Sequence, residues 1–130
     1  SKSKVDIKDC RVSYQDLDGH QALFCYKAGF PCPIGHIYFS WYGPGHNSIQ
    51  RAEILGCYVL PLFRRAGILT YLVDQLFEWL KIDVILTPHG SDEGGRQFMK
   101  ANGFTYDKAF GYWRITKREW KAAQKKRKSP

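Results

Sequence analysis

The chain has 130 residues, 44% of them hydrophobic and 25% charged, with a formal net charge of +8; this is enough for one globular domain with a core and too apolar for a disordered chain. No apolar run approaches the roughly 20 residues that span a bilayer, and the opening Ser-Lys-Ser-Lys has no apolar segment behind it, so neither a membrane anchor nor a secretory signal is expected. Cys10, Cys25, Cys32 and Cys57 form no Cys-x-x-Cys pair and no zinc spacing with histidine, which argues against a metal centre and fits reduced, buried thiols in a cytoplasmic protein, with the even count leaving a disulfide open.

In chain order, residues 5–14 and 20–27 read as two strands joined directly through Gln15-Asp16-Leu17-Asp18-Gly19, whose Asp-Gly pair is a hairpin signal. After an irregular stretch with two prolines, residues 34–41 alternate as a third strand, with His36, Tyr38 and Ser40 on one face and Ile37, Phe39 and Trp41 on the other. A glycine-rich loop holding His46 follows, a candidate for substrate contact, for a base, or for exposure without a role. Residues 51–60 read as a mostly buried fourth strand, and Gly56 within it marks a bulge or the close approach of another backbone.

The run Arg64-Arg65-Ala66-Gly67-Ile68-Leu69 then stands at the start of an amphipathic helix, whose Ile68, Leu69, Leu72, Val73, Leu76, Phe77 and Leu80 recur at three- and four-residue spacing. A helix start presents unpaired N–H groups and the positive end of the dipole, so a glycine there admits a phosphate to the backbone. Residues 83–88 supply a short apolar fifth strand, and residues 104–116 read as strands closing the sheet. The β-α-β portion requires a right-handed parallel crossover, and the early strands form an antiparallel meander.

Two of these blocks carry a resemblance. Arg64, Gly67 and Leu69 occupy the three positions of the phosphate loop Gln/Arg-x-x-Gly-x-Gly/Ala of the GNAT superfamily of N-acetyltransferases, with Leu69 in place of a small residue. The block from Asp92 to Phe104 is similar to that family's fourth helix, ending at Gly103-Phe104, with Asp92 in place of the family's asparagine as its N-cap and Met99 where many members have tyrosine. The resemblance implies a mixed α/β sheet of the acyl-CoA N-acyltransferase fold, in which strands four and five splay apart, within one domain over residues 1–116.

It also implies acetyl-CoA as co-substrate, without a metal. Tyr58, Val59 and Leu60 are then expected to line the pantetheine arm and offer free amides to the thioester, while Arg64, Arg65, Ala66, Gly67, Ile68, Leu69 and Thr70 hold the pyrophosphate, with one arginine left in solvent as an alternative. Glu53, eleven residues before Arg64, matches the general base of protein-acetylating members, the alternative being an ordinary ion pair on the strand. Tyr106 or Tyr112 is the candidate acid, the alternative being that the thiolate leaves without one.

The family usually inserts one or two helices between its first two strands, and here about five turn residues stand in that place, which implies an open acceptor side suited to an amine on a macromolecule. Residues 117–130 form a basic tail, with seven Lys or Arg against one Glu between Lys117 and Lys128 and thirteen against eleven elsewhere. That segment reads as a short helix fraying into a basic end that attracts nucleic acid or an acidic protein surface, or is simply solvated. A monomer or homodimer is expected. The other readings are a GNAT-fold enzyme modifying a nucleic acid or aminoacyl-tRNA, and a non-catalytic module binding coenzyme A or nucleic acid.

Overall fold

The computed structural model describes residues 6–42, 49–88 and 92–128. Seven strands pair in the order β1-β2-β3-β4-β5-β7-β6, and the residues gather into two units, 1–41 with 54–81 and 42–53 with 82–130. The architecture is mixed α/β, as expected.

In the first unit, strands β1 (Cys10–Leu17) and β2 (His20–Lys27) form a hairpin whose pairing runs from Cys10 opposite Lys27 to Leu17 opposite His20. The loop is therefore Asp18-Gly19 alone, with Gly19 at φ +87°, a conformation in which a side chain would clash. The strand begins and ends later than its sequence suggests. A 3-10 turn over Ile7–Asp9 occupies its expected start, held by the Lys8 amide donating to Asp6 Oδ1 at 3.0 Å. A two-residue loop leaves Gln15 and Asp16 free to pair with Ala22 and Gln21, which is why the strand extends to Leu17.

Strand β3 (Gly35–Tyr42) pairs antiparallel with β2 and alternates as predicted, with Ile37 and Phe39 buried. Strand β4 (Arg51–Val59) leads through a 3-10 turn (Pro61–Phe63) into helix α1 (Ile68–Glu78), whose Ile68, Leu72, Val73, Leu76 and Phe77 are buried. Strand β2 supplies Leu23 and Cys25 to this core. Gly35 fixes the spacing between α1 and the strands: a Cβ built there lies 2.9 Å from Ile68 Cγ2, 3.2 Å from the Tyr58 carbonyl and 3.4 Å from Val59 Cγ2. Gly35→Ala is expected to lower unfolding stability by about 1–3 kcal/mol, because one obstacle is backbone and cannot rotate away; urea denaturation checks this.

In the second unit, the first three residues of β4 pair parallel with β5 (Val84–Pro88). Strand β5 pairs antiparallel with β7 (Tyr112–Thr116), and β7 with β6 (Thr105–Asp107). Helix α2 (Glu93–Ala101) begins at Asp92, whose Oδ1 accepts the Gly95 amide at 2.7 Å, the cap expected from sequence. Residues read as a basic tail form helix α3 (Lys117–Lys128). It starts with a reciprocal capping box: Thr116 N–H donates to Glu119 Oε1 at 2.9 Å and Glu119 N–H to Thr116 Oγ1 at 3.2 Å. Trp120, 1% exposed, packs among Phe98 and Phe104. Buried Asn102 accepts on its Oδ1 from Gln124 at 2.7 Å and Arg127 at 2.6 Å, tying the helix near its end.

All four cysteines are free, but only Cys25 is buried; Cys10 is half-buried and Cys32 and Cys57 are exposed, contrary to the expectation of buried thiols. Burial, reinforced by neighbouring Cys10, pushes the Cys25 thiol up to about 12, so it packs as an inert apolar group. No helix among the described residues is long and apolar enough to cross a membrane.

Candidate coenzyme cradle and acceptor pocket

The first unit holds the candidate anion cradle. Strand β4 ends at Val59, and the Leu60 amide donates to the Ile34 carbonyl at 2.9 Å. Leu60 therefore does not present the free N–H expected of it, because the first residues after β4 remain tied to the chain entering β3. Phe63, buried against Phe30 with ring centroids 4.9 Å apart, anchors the turn that follows. Beyond it the backbone turns sharply: Arg65 adopts φ +63° and Gly67 φ +85°. A left-handed arginine costs on the order of 1 kcal/mol, so the tight turn is maintained by its surroundings, and such strain is concentrated at functional loops.

Gly67 is the N-cap of α1, and no side chain caps the helix. The first helical bond is Tyr71 N–H to the Gly67 carbonyl at 2.9 Å, so the amides of Ile68, Leu69 and Thr70 stand ahead of the hydrogen-bond ladder. A Cβ at Gly67 would meet nothing within 4 Å, which leaves the approach to these amides open. Arg64 is held by its Nε donating to the Val59 carbonyl at 2.9 Å, with the guanidinium 5.3 Å from the Tyr58 ring centre. Arg65 is exposed, Ala66, Leu69 and Thr70 are half-buried, and Ile68 belongs to the core. Uncapped amides, an open glycine and two cations match the needs of a diphosphate.

Strand β4 is less buried than its Ile-Leu-Gly-Cys-Tyr-Val composition suggests. Ala52 alone is buried; Leu55 is 51% and Tyr58 44% exposed. The reason lies in the ladder with β5, which has three rungs and stops at Glu53 opposite Leu86 although β4 continues to Val59. Residues past that point lose a flanking strand. Gly56 has open space where a Cβ would stand, so the close approach expected there occurs at Gly35 instead.

The second unit holds a cavity of about 360 Å³ lined by Glu53, Leu86, Thr87, Pro88, Phe110, Gly111 and Tyr112. Glu53 is half-buried at the last rung of the parallel ladder, and its Oε2 accepts from Tyr42 Oη at 3.2 Å. The β6–β7 turn is shaped by Asp107, whose Oδ1 accepts the amides of Ala109 at 2.9 Å and Phe110 at 3.2 Å. That turn presents Phe110, 74% exposed and stacked on Tyr112 with centroids 6.0 Å apart.

Of the two tyrosines named from sequence, Tyr112 lines this cavity with Glu53. Tyr106 stands on the outer strand β6, its ring 5.2 Å from that of Trp113. Tyr42 and Phe110 escape a sequence reading: the first lies past the expected end of β3, and the second is an aromatic in a turn. The Asp-x-x-x-Gly spacing from Asp107 to Gly111 is the signal that marks that turn. His46 lies outside the described residues.

A sequence profile of the acetyltransferase (GNAT) family matches residues 4–104. The chain belongs to this family. No functionally curated protein matches the sequence, whereas solved structures of the same fold are numerous. A GNAT-family acetyltransferase from Staphylococcus aureus superposes with a TM-score of 0.58 at 16% identity, over 75% of this chain and 68% of that one. The NatC complex bound to Gag peptide and CoA gives 0.55 at 20% identity, over 73% and 70%. A ribosomal-protein-alanine N-acetyltransferase from Brucella melitensis gives 0.52 at 20% identity, over 64% and 60%. At these identities the likeness is one of GNAT fold.

Proposed function

We propose that this GNAT chain transfers an acetyl group from acetyl-CoA to a primary amine carried by a macromolecule. The observation that carries the reading is the uncapped start of α1 at Gly67, where open backbone amides and Arg64 and Arg65 suit the diphosphate of coenzyme A. When bound, acetyl-CoA supplies an activated thioester. Gly67, Ile68, Leu69 and Thr70 grip the diphosphate through their amides, Ala66 lets the loop pass close by, and Tyr58, Val59 and Leu60 flank the pantetheine arm.

Glu53 removes a proton from the acceptor ammonium, and the Tyr42 hydroxyl, bonded to Oε2, orients the carboxylate. The amine then bonds the acetyl carbon as the carbon–sulfur bond breaks; Tyr112 donates its phenolic proton to the departing sulfur, and the surplus proton on the new amide nitrogen passes through water to the phenolate, which restores Tyr112. A peptide-like acceptor is supported by the open cavity with Phe110 at its lip, by the two-residue connection between β1 and β2, and by the peptide carried by NatC.

The test is release of free thiol from acetyl-CoA with a panel of peptides bearing α- and ε-amines. Release that rises with acceptor concentration supports the reading; none with any peptide overturns it. Within that assay, Tyr112→Phe is expected to lower kcat by about 10²-fold, the size of a lost proton donor. Tyr106→Phe should change it by less than about twofold, and the reverse order would move the acid role to Tyr106.

A further inference from the structure

The first unit has a second surface that shares with the transferase reading only Tyr58 and Arg64, at one end. Its one α-helix covers the face carrying Leu23, Cys25, Gly35 and Ile37. The opposite face of β1–β4 carries a band of rings in unbroken contact. His20 meets Tyr38 at 5.6 Å, Tyr38 meets Phe24 at 6.1 Å and His36 at 4.5 Å, and His36 stacks on Tyr58 at 6.1 Å and 30°.

A cation stands at the Tyr58 end of the band, and a second lies on the same face. Arg64 lies 5.3 Å from the Tyr58 ring centre, and Arg11, paired across from Tyr26, lies 4.6 Å from that ring. The alternating positions of β1, β2 and β3 on this side contain no carboxylate. Ser13 Oγ, on the same side, is buried without a hydrogen-bond partner, which costs about 1–3 kcal/mol. Burial also lowers the affinity of His36 for a proton, so its ring is neutral and stacks as an aromatic.

The geometry points to this sheet face as a platform for single-stranded nucleic acid. A sheet that offers adjacent rings to unstacked bases, with arginines for phosphates at its margins and no acid to repel them, has the features such ligands require. A duplex hides its base faces and gains only the arginines. A protein partner or a second copy would need neither the two arginines nor the absence of carboxylates. The site differs from the basic helix α3, which lies in the other unit.

Fluorescence anisotropy with a labelled oligothymidylate of about 12 nucleotides tests it, the length matching a site of this kind. Binding is expected with Kd between about 1 and 100 μM at low salt, and a duplex of equal length should bind at least about fivefold more weakly, since it offers no free base to stack. Tyr38→Leu keeps apolar bulk while removing a ring, and should weaken single-strand binding by about tenfold. Arg11→Gln, an exposed change, should lower the slope of log K against log salt by about 0.7. Neither variant should alter coenzyme A binding, so failure here and failure of the transferase reading are separable. The proposal is overturned by equal or tighter duplex binding, or by full binding in both variants, which would assign it to α3. A dimer in light scattering that Tyr38→Leu dissociates also overturns it, because a second copy then covers the face; so does the absence of binding at about 100 μM protein.

Discussion

Glu53→Gln lowers kcat for acetyl transfer by about 10²–10³-fold while leaving the Kd for coenzyme A within about twofold of the parent. The size follows from removing the proton acceptor for an amine that must be neutral to attack, a contribution of about 10²–10⁴ in rate. Binding is spared because Glu53 lies at the last rung of the β4–β5 ladder and the cavity of the second unit, while the cradle amides belong to residues 67–70. Glutamine keeps the shape and can still accept from Tyr42, so the fold should not move. Steady-state thiol release with a fixed peptide gives kcat, and calorimetry gives Kd. Turnover equal to the parent would reduce Glu53 to an ordinary strand residue.

Gly67→Ala is the second large effect and falls on the co-substrate instead. Its backbone φ of +85° costs a side chain about 1–2 kcal/mol, and relaxing that strain rotates the amides at the start of α1. The Kd for coenzyme A should rise by at least about tenfold, equivalent to about 1.4 kcal/mol. The melting temperature should fall by about 3–6 °C, as expected for a loss near 1 kcal/mol in a domain of this size. A Cβ there meets no neighbour, so overpacking does not contribute, and a change in melting temperature with unaltered affinity would separate helix capping from anion binding.

Much of this fold was legible from period and punctuation. Helix α1 announced itself through apolar residues at helical spacing, and β3 through strict alternation, because both elements bury one face and expose the other. Boundaries were less legible where pairing decides them: the Asp18-Gly19 loop extends β1 to Leu17 because β2 offers it partners, which no local propensity encodes. Strand β4 misled for a related reason. Its apolar residues suggest burial, yet Leu55 and Tyr58 are exposed because the partner strand departs after Glu53.

The candidate cradle is legible because Arg-x-x-Gly at a helix start is a local pattern with a local physical purpose. The pocket is not. Glu53 follows from the family resemblance, which implies a base eleven residues before Arg64, whereas Tyr42, Phe110 and Tyr112 converge with it only through strand order and a turn organised by Asp107. Gly35, which admits Ile68 against the sheet, also became meaningful only once β3 and α1 were packed.

Titrating coenzyme A into the purified protein by calorimetry bears most directly on the cradle at Gly67. The account predicts a saturable one-site isotherm with Kd in the micromolar range, typical of enzyme substrates, weakened in Gly67→Ala. No heat and no thermal stabilisation at millimolar coenzyme A, with the protein folded, would contradict it.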